Sequence, residues 1–169
     1  MVALPLNASE REAEIWRVLE QVKDPEIPVL SVVDLGIVRE VKCSDDSVEV
    51  AITPTYSGCP AMNMIETNIL DMLKSADYPN PKVTTVLSPA WTTDWLSESG
   101  REKLRSFGIA PPEKGVPSKR ALFADTAPIQ CPHCESLRTE RVSEFGSTAC
   151  KALHRCMDCR EPFDYFKCI

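Results

Sequence analysis

Six of the eight cysteines fall within the last 39 residues, and four of these form two pairs with the spacing C-x-x-C. The pairs are Cys131–Cys134 and Cys156–Cys159, with 21 residues between them. Each pair supplies two sulfur ligands from one tight turn, and Zn²⁺ takes four ligands at the corners of a tetrahedron. Disulfides are the alternative, but no export signal is visible in the sequence, which favours metal binding. The spacing therefore predicts a structural zinc site formed by Cys131, Cys134, Cys156 and Cys159.

Two features of this cysteine-rich tail complicate the prediction, and its charge bears on nucleic-acid binding. Cys150 and His154 lie between the two pairs and offer further metal ligands. Glu135 and Arg160 occupy the positions directly after the pairs, where zinc knuckles often have glycine. From residue 129 to 169 the chain has six Lys/Arg and six Asp/Glu, so four thiolates with one Zn²⁺ bring the net charge to −2. Because nucleic-acid binding requires a cationic face, we do not expect this tail to bind nucleic acid.

In the N-terminal part, Cys59 lies where a thiol can do chemistry. It belongs to the segment Thr53–Pro60, between a predicted strand and a predicted helix. Unpaired N–H groups and the positive end of the helix dipole favour a thiolate at a helix start, so we predict a lowered pKa for Cys59. A thiolate in this position acts as a nucleophile or as a soft metal ligand. The alternative is a buried packing residue, since free cysteine is among the most buried residue types.

Hydrophobic periodicity predicts the elements that must position Cys59. A capping box at Ser9 and Glu12 begins an amphipathic helix that ends before Asp24. Two paired strands, a helix opened by Pro60, a third strand and a short helix follow. Their predicted ranges are Ile37–Cys43, Ser47–Thr53, Pro60–Asp77, Lys82–Leu87 and Ser99–Gly108. This order predicts an α+β fold, a small sheet covered by helices on one face, followed by a zinc-ribbon-like domain.

Composition and proline placement predict two domains. The 169 residues, with 43% hydrophobic content, suffice for one ordinary domain and a small one. Prolines in the segment 111–128 predict a stiff linker between an α+β domain at 1–110 and a zinc-ribbon-like domain at 129–169. The net charge of −6 argues against nonspecific nucleic-acid binding, and no apolar run approaches the length that spans a bilayer.

Two further sets of residues bear on function. Trp91 and Trp95 are four residues apart, as expected of core packing or of an exposed aromatic anchor for a partner. Both histidines, His133 and His154, lie in the tail, so the first domain has no imidazole that could serve Cys59 as a base. No nucleophile, base and orienting group are visible together, and we do not expect an enzyme.

Three segments of the first domain resemble the MIP18/DUF59 (SufT-like) family, which acts in iron–sulfur cluster assembly. They are Asp24–Pro28, Val32–Gly36 and Thr53–Pro60. The stretch 89–111 and the tail segments Phe145–Cys156 and Phe163–Cys168 are similar to the PaaD family, accessory proteins of the bacterial phenylacetyl-CoA ring epoxidase. The resemblance covers nearly the whole chain.

This resemblance implies a MIP18/DUF59-like first domain in a cytoplasmic accessory protein. It implies partners as well: subunits of a multicomponent oxygenase with a di-iron hydroxylase and an iron–sulfur flavoprotein reductase, or iron–sulfur assembly proteins. The family pattern places the functional thiol at Cys59, with Asp34 and Thr55 as neighbours.

Two hypotheses of different class follow. In the first, the chain handles iron or a labile iron–sulfur cluster for the oxygenase through Cys59, across a homodimer because one cysteine cannot supply four ligands. In the second, it is a non-catalytic docking subunit with only structural zinc. The first predicts that loss of the Cys59 thiol abolishes maturation of the oxygenase. The second predicts tolerance of that change and sensitivity at Trp91, Trp95 or the ribbon.

Overall fold

The structure, a computed structural model, describes residues 9–56, 58–112 and 129–167. Its contacts divide the chain into two compact units. One is Met1–Trp91 with Trp95–Gly100, and the other is Thr92–Asp94 with Arg101–Ile169. In the part of the chain that is described, no helix has the length and apolar character needed to cross a membrane.

The first unit opens with helix α1, Glu10–Leu19, whose start is fixed by the predicted capping box. The Glu12 N–H donates to Ser9 Oγ at 3.2 Å, and the Ser9 N–H donates to Glu12 Oε2 at 2.8 Å. These two bonds satisfy N–H groups that a helix start otherwise leaves unpaired. Ile15 and Leu19 are buried, so the apolar face of α1 packs against the core.

A three-stranded sheet forms the centre of this unit, in the order β1-β2-β3. Strand β1, Val38–Cys43, pairs antiparallel with β2, Val48–Ile52, and β3, Pro81–Thr85, pairs parallel with β2. Helix α2, Met62–Ser75, connects β2 to β3 and buries its apolar stripe. The predicted α+β class, hairpin and strand-connecting helix are therefore confirmed. Since β2 and β3 are parallel, their carboxyl ends meet at one edge of the sheet, where α2 begins.

The two tryptophans are packing residues of this unit. Trp91 is 6% exposed, and its Nε1–H donates to the carbonyl of Leu35 at 2.9 Å. Trp95 is half-buried, with the Arg39 guanidinium 3.5 Å from the centroid of its ring. The alternative of an exposed aromatic anchor is therefore wrong for Trp91, because its ring is enclosed and its one polar atom already has a partner.

The second unit contains a four-stranded sheet in the order β4-β7-β6-β5. Its strands are β4, Ile109–Ala110; β5, Thr139–Ser143; β6, Lys151–Cys156; and β7, Pro162–Phe166. Ahead of β4, the short helix α3, Glu98–Ser106, is followed by Gly108 at φ +84°, which confirms the predicted stop.

Strand β4 bears on the predicted domain boundary after residue 110. It pairs in parallel with β7, and the contacts group residues from Arg101 onward with the tail. This pairing is long-range, so no local pattern of the sequence indicates it. The predicted linker 111–128 lies outside the described residues except for Pro111 and Pro112. Independent folding of residues 1–110 stays a prediction.

Candidate functional sites

The four cysteines of the two C-x-x-C pairs come together in the second unit. The sulfur atoms of Cys131, Cys134, Cys156 and Cys159 all lie within 4.8 Å of one another. Cys131 Sγ is 3.8 Å from Cys159 Sγ, and Cys134 Sγ is 3.5 Å from Cys156 Sγ. A tetrahedral Zn²⁺ with Zn–S bonds of about 2.3 Å sets neighbouring sulfurs about 3.8 Å apart. The cluster therefore has the ligand type, number and spacing that fit one Zn²⁺.

The turns that present these cysteines form without glycine. Glu135 and Arg160 follow the two pairs at φ 62° and φ 64°, the left-handed conformation that glycine usually adopts. The Glu135 N–H donates to the carbonyl of Cys131 at 2.9 Å, and the Cys156 N–H donates to the carbonyl of Glu161 at 3.0 Å. Both residues therefore adopt the conformation typical of glycine while carrying a side chain, which costs about 1 to 2 kcal/mol at each position.

A polar bridge joins the two turns outside the sulfur cluster. Asp158, from the second turn, accepts from Arg138 Nε at 2.9 Å and also from the hydroxyl of Ser136, both of which follow the first turn. The hydrogen bond from Arg138 has the largest effect on Asp158, followed by the one from Ser136, and together they lower the pKa of Asp158 to about 2. The bridge therefore stays charged across the neutral range and supports the relative placement of the two cysteine pairs.

The two additional candidate ligands, Cys150 and His154, are not part of the four-sulfur cluster. The His154 ring is 3% exposed and stacks on Phe163, with centroids 5.7 Å apart. Burial, followed by the charge of Arg141, lowers the pKa of His154. Cys150 is buried, with its Sγ 3.0 Å from Thr148 Oγ1. Both side chains are therefore buried packing residues of the second unit.

Cys59 lies in the loop between β2 and α2. Gly58 at φ +83° turns the chain, and the Cys59 N–H donates to the carbonyl of Tyr56 at 3.3 Å. Helix α2 begins at Met62, two residues later than the predicted Pro60. The Ala61 N–H and the Tyr56 hydroxyl make hydrogen bonds to the thiol, which is half-buried.

The surroundings of Cys59 raise its pKa above the ordinary value. Burial is the largest cause, and the carboxylates of Glu26 and Asp24 act in the same direction. The hydrogen bonds from Ala61 and Tyr56 favour the thiolate but do not reverse the shift. The predicted lowering is therefore wrong, because desolvation and two carboxylates from the segment before β1 outweigh the N–H groups. The thiol is the resting form at neutral pH.

The remaining predicted site residues occupy different surroundings. Asp34 is 1% exposed and accepts hydrogen bonds from the Ser31 hydroxyl at 2.9 Å and the Ser97 hydroxyl at 3.1 Å. These bonds tie the turn at Ser31 to the segment that leads into α3. Thr55 is half-buried in the loop that leads to Cys59. The functional role of Asp34 and Thr55 beside Cys59 stays a prediction.

The side chains that act on Cys59 are Tyr56, Glu26 and Asp24, none of which the sequence patterns marked as a site residue. The sequence feature that could have pointed to Asp24 and Glu26 is the Asp24–Pro28 motif. Its Asp24 carboxylate accepts from the N–H groups of Glu26 and Ile27 at 2.8 Å each, which fixes the turn that carries Glu26.

Comparison with known proteins agrees with this two-part architecture. The iron–sulfur cluster assembly protein family matches residues 12–88, and the PaaD zinc beta ribbon domain matches residues 115–167. The crystal structure of a DUF59 domain of unknown function from Bacillus anthracis has a TM-score of 0.52 and 26% identity. The match covers 55% of this chain and 90% of the Bacillus anthracis chain.

Two relatives match this chain over different shares of its length. An Fe-S protein maturation auxiliary factor from Porphyromonas gingivalis is 34% identical over 97 residues, 56% of this chain and 91% of its own length. A protein from Escherichia coli that is named as a component of a 1,2-phenylacetyl-CoA epoxidase is 48% identical over 170 residues, which cover all of both chains. The chain therefore belongs to the PaaD family, in which a DUF59-type iron–sulfur cluster assembly domain precedes a zinc ribbon.

Proposed function

We propose that this chain is a non-catalytic maturation factor in the cytoplasm that handles iron or an iron–sulfur cluster for the phenylacetyl-CoA oxygenase of phenylacetate degradation. The observation that carries the proposal is the placement of Cys59. It is a half-buried thiol at the carboxyl edge of the sheet, in a domain of the iron–sulfur assembly family, and outside the four-sulfur cluster of the tail.

The chemistry assigned to Cys59 is reversible ligation of its cargo. The thiol loses its proton to solvent, and the thiolate sulfur replaces a ligand on iron, with no change in oxidation state. Because its pKa is raised, the thiolate is the minor form, which favours release over permanent retention. One cysteine cannot fill the four thiolate positions of a cluster, so a second copy of the chain or the recipient supplies the others.

The tail has a separate part in this proposal. Cys131, Cys134, Cys156 and Cys159 hold one structural Zn²⁺, which cross-links the two turns of a ribbon too small to fold on its apolar core alone. Zn²⁺ supplies no redox chemistry there. Binding of the cargo and binding of the structural metal therefore depend on different cysteines.

Anaerobic purification with iron, sulfide and zinc measured per chain tests the proposal. Cys59→Ser should lose iron and sulfide while keeping one zinc. Cys43→Ser is the matched control, because Cys43 is another half-buried free cysteine of the first domain. It should retain both the cargo and the zinc.

Maturation of the oxygenase is the second measurement. Without the Cys59 thiol, the iron–sulfur content of the oxygenase should fall at least tenfold when this chain is its only maturation factor. If Cys59→Ser supports full maturation and wild type binds no iron, the proposal fails. The docking-subunit hypothesis, with only structural zinc, then replaces it.

A further inference from the structure

The turn that carries Cys59 places Tyr56 beside it. The Cys59 N–H donates to the carbonyl of Tyr56 at 3.3 Å, which closes a turn of four residues, and Gly58 holds the third position at φ +83°. The Met62 N–H donates to the carbonyl of Cys59 at 3.4 Å, so the same turn is joined to the start of α2. Because the first and fourth residues of such a turn lie close together, Tyr56 and Cys59 are neighbours.

Two hydrogen-bond donors reach the Cys59 sulfur from this turn and from the residues that follow it. One is the Ala61 N–H, and the other is the hydroxyl of the half-buried Tyr56. The carboxylates of Glu26 and Asp24 act on the same sulfur in the opposite sense, because they repel negative charge there. Of the three side chains that act on Cys59, Tyr56 is therefore the one that favours a thiolate.

A hydroxyl donor is suited to a sulfur that binds and releases a metal. Its hydrogen bond needs only a sulfur lone pair, which a thiol and an iron-bound thiolate both have, so the bond does not have to break when iron binds. The bond is stronger to a thiolate than to a thiol, since charge-assisted hydrogen bonds are about twice as strong as neutral ones. The Tyr56 hydroxyl consequently stabilises the ligated sulfur more than the free thiol, without taking a ligand position on the iron.

We propose that Tyr56 is a positioning residue for cargo ligation, whose hydroxyl orients the Cys59 sulfur and lengthens the time for which iron stays bound. The inference rests on the proposed function, in which Cys59 supplies the ligand. Retention then depends on two opposed influences within the first domain. The Tyr56 hydroxyl slows release, and the carboxylates of Glu26 and Asp24 promote it.

The first test uses Tyr56→Phe in the full chain before iron is added, so that it reports the hydrogen bond without cargo. The ring is kept and only the hydroxyl is lost. Alkylation of Cys59 at pH 8, followed by mass spectrometry, should slow about threefold, because the thiolate loses a donor. Tyr78→Phe is the matched control, since Tyr78 is another tyrosine of the first domain, and the groups that act on it include Glu14 and Cys43 but not Cys59. It should leave the alkylation rate of Cys59 unchanged.

The second test follows the same variants after anaerobic loading with ferrous iron and sulfide. Transfer of iron to a ferrous chelator should be about fivefold faster from Tyr56→Phe than from wild type or Tyr78→Phe. The thiolate-to-iron charge-transfer absorption should move to longer wavelength, because a sulfur without the hydrogen bond holds its lone pairs less tightly. Zinc content and thermal unfolding should match wild type, which distinguishes a positioning role from a structural one.

Two results would overturn the inference. One is an alkylation rate in Tyr56→Phe equal to that of wild type, which would show that the hydroxyl does not act on the sulfur. The other is slower alkylation with an unchanged rate of iron transfer, which would show that the hydrogen bond does not affect the cargo. Failure of the proposed function gives a different result. Wild type itself would then bind no iron, and the inference would fall with it even if Tyr56→Phe alkylates more slowly.

Discussion

The two cysteine sites of this chain differ in the number of sulfur atoms they bring together and in the groups that surround them. In the tail, four sulfurs lie within 4.8 Å of one another, and two turns closed by backbone hydrogen bonds hold them in place. In the first domain, Cys59 is a single half-buried thiol whose polar neighbours are the Ala61 N–H, a tyrosine hydroxyl and two carboxylates. The tail therefore has the four sulfurs of a tetrahedral metal site, whereas Cys59 offers a single sulfur.

Under the proposed function, this difference distinguishes a site that keeps its metal from one that exchanges it. Four converging cysteines must lose their protons to bind a metal ion, and the unfolded chain does not hold them together, so metal binding and folding of the ribbon are coupled. A lone thiol with a raised pKa binds metal weakly unless another molecule contributes ligands. Substitutions at the two sites should consequently have effects of different size and kind.

The largest effect is expected from Cys156→Ser. Removal of one sulfur from the cluster should abolish stoichiometric zinc binding and unfold the ribbon, because structural zinc contributes on the order of 10 kcal/mol or more. Zinc content and the near-UV circular dichroism of the tail aromatics are the measurements. Cys150→Ser is the control, since Cys150 is buried but outside the cluster, and it should keep its zinc. Stoichiometric zinc in Cys156→Ser would disprove the four-cysteine assignment.

A smaller effect is expected from Glu26→Gln on the reactivity of Cys59. The pKa of the wild-type thiol is raised, so its alkylation rate should have a midpoint above the value of about 8.5 for free cysteine. The neutral amide removes one negative charge that opposes the thiolate, and the midpoint should fall. At pH 8 the alkylation rate, followed by mass spectrometry, should rise about twofold.

The same shift fixes the sign of the linked stability change. Because folding raises the pKa of Cys59, its contribution to stability is present below the free-thiol pKa and is lost as pH rises through the folded value.

The control for the alkylation experiment is Glu49→Gln, at an exposed position of β2, which should leave the alkylation profile of Cys59 unchanged. A midpoint at or below the free-cysteine value in wild type would contradict the assigned electrostatics.

The smallest effect is expected from Glu135→Gly in the first zinc turn. Glycine relieves the left-handed conformation at φ 62° and should raise the free energy of unfolding of the ribbon by about 1 kcal/mol, less the entropy that glycine adds to the unfolded chain. Denaturant unfolding of the zinc-loaded chain is the measurement. Glu140→Gly, in strand β5, should be destabilising instead. Destabilisation by both would show that the Glu135 side chain makes a contact worth more than the strain.

Local patterns in the sequence were sufficient for most of the fold and for one of the two sites. The capping box at Ser9, the hairpin, the helix α2 and the stop at Gly108 each depend on residues a few positions apart. The four-sulfur cluster was predictable for the same reason, since each C-x-x-C closes within one turn. The strand β4 was not, because its pairing with β7 joins residues more than 50 positions apart.

The sequence by itself determined the α+β class, the four-cysteine cluster and the place of Cys59 between a strand and a helix. Only the tertiary structure decided how Cys59 ionises, because Asp24 and Glu26 reach it from a segment more than 30 residues earlier. It also decided that Trp91 is enclosed and that His154 packs against aromatic rings. Spacing along the chain predicts which groups share a turn. Burial and long-range charge depend on which segments the fold brings together, and these two terms determine the pKa of a lone thiol.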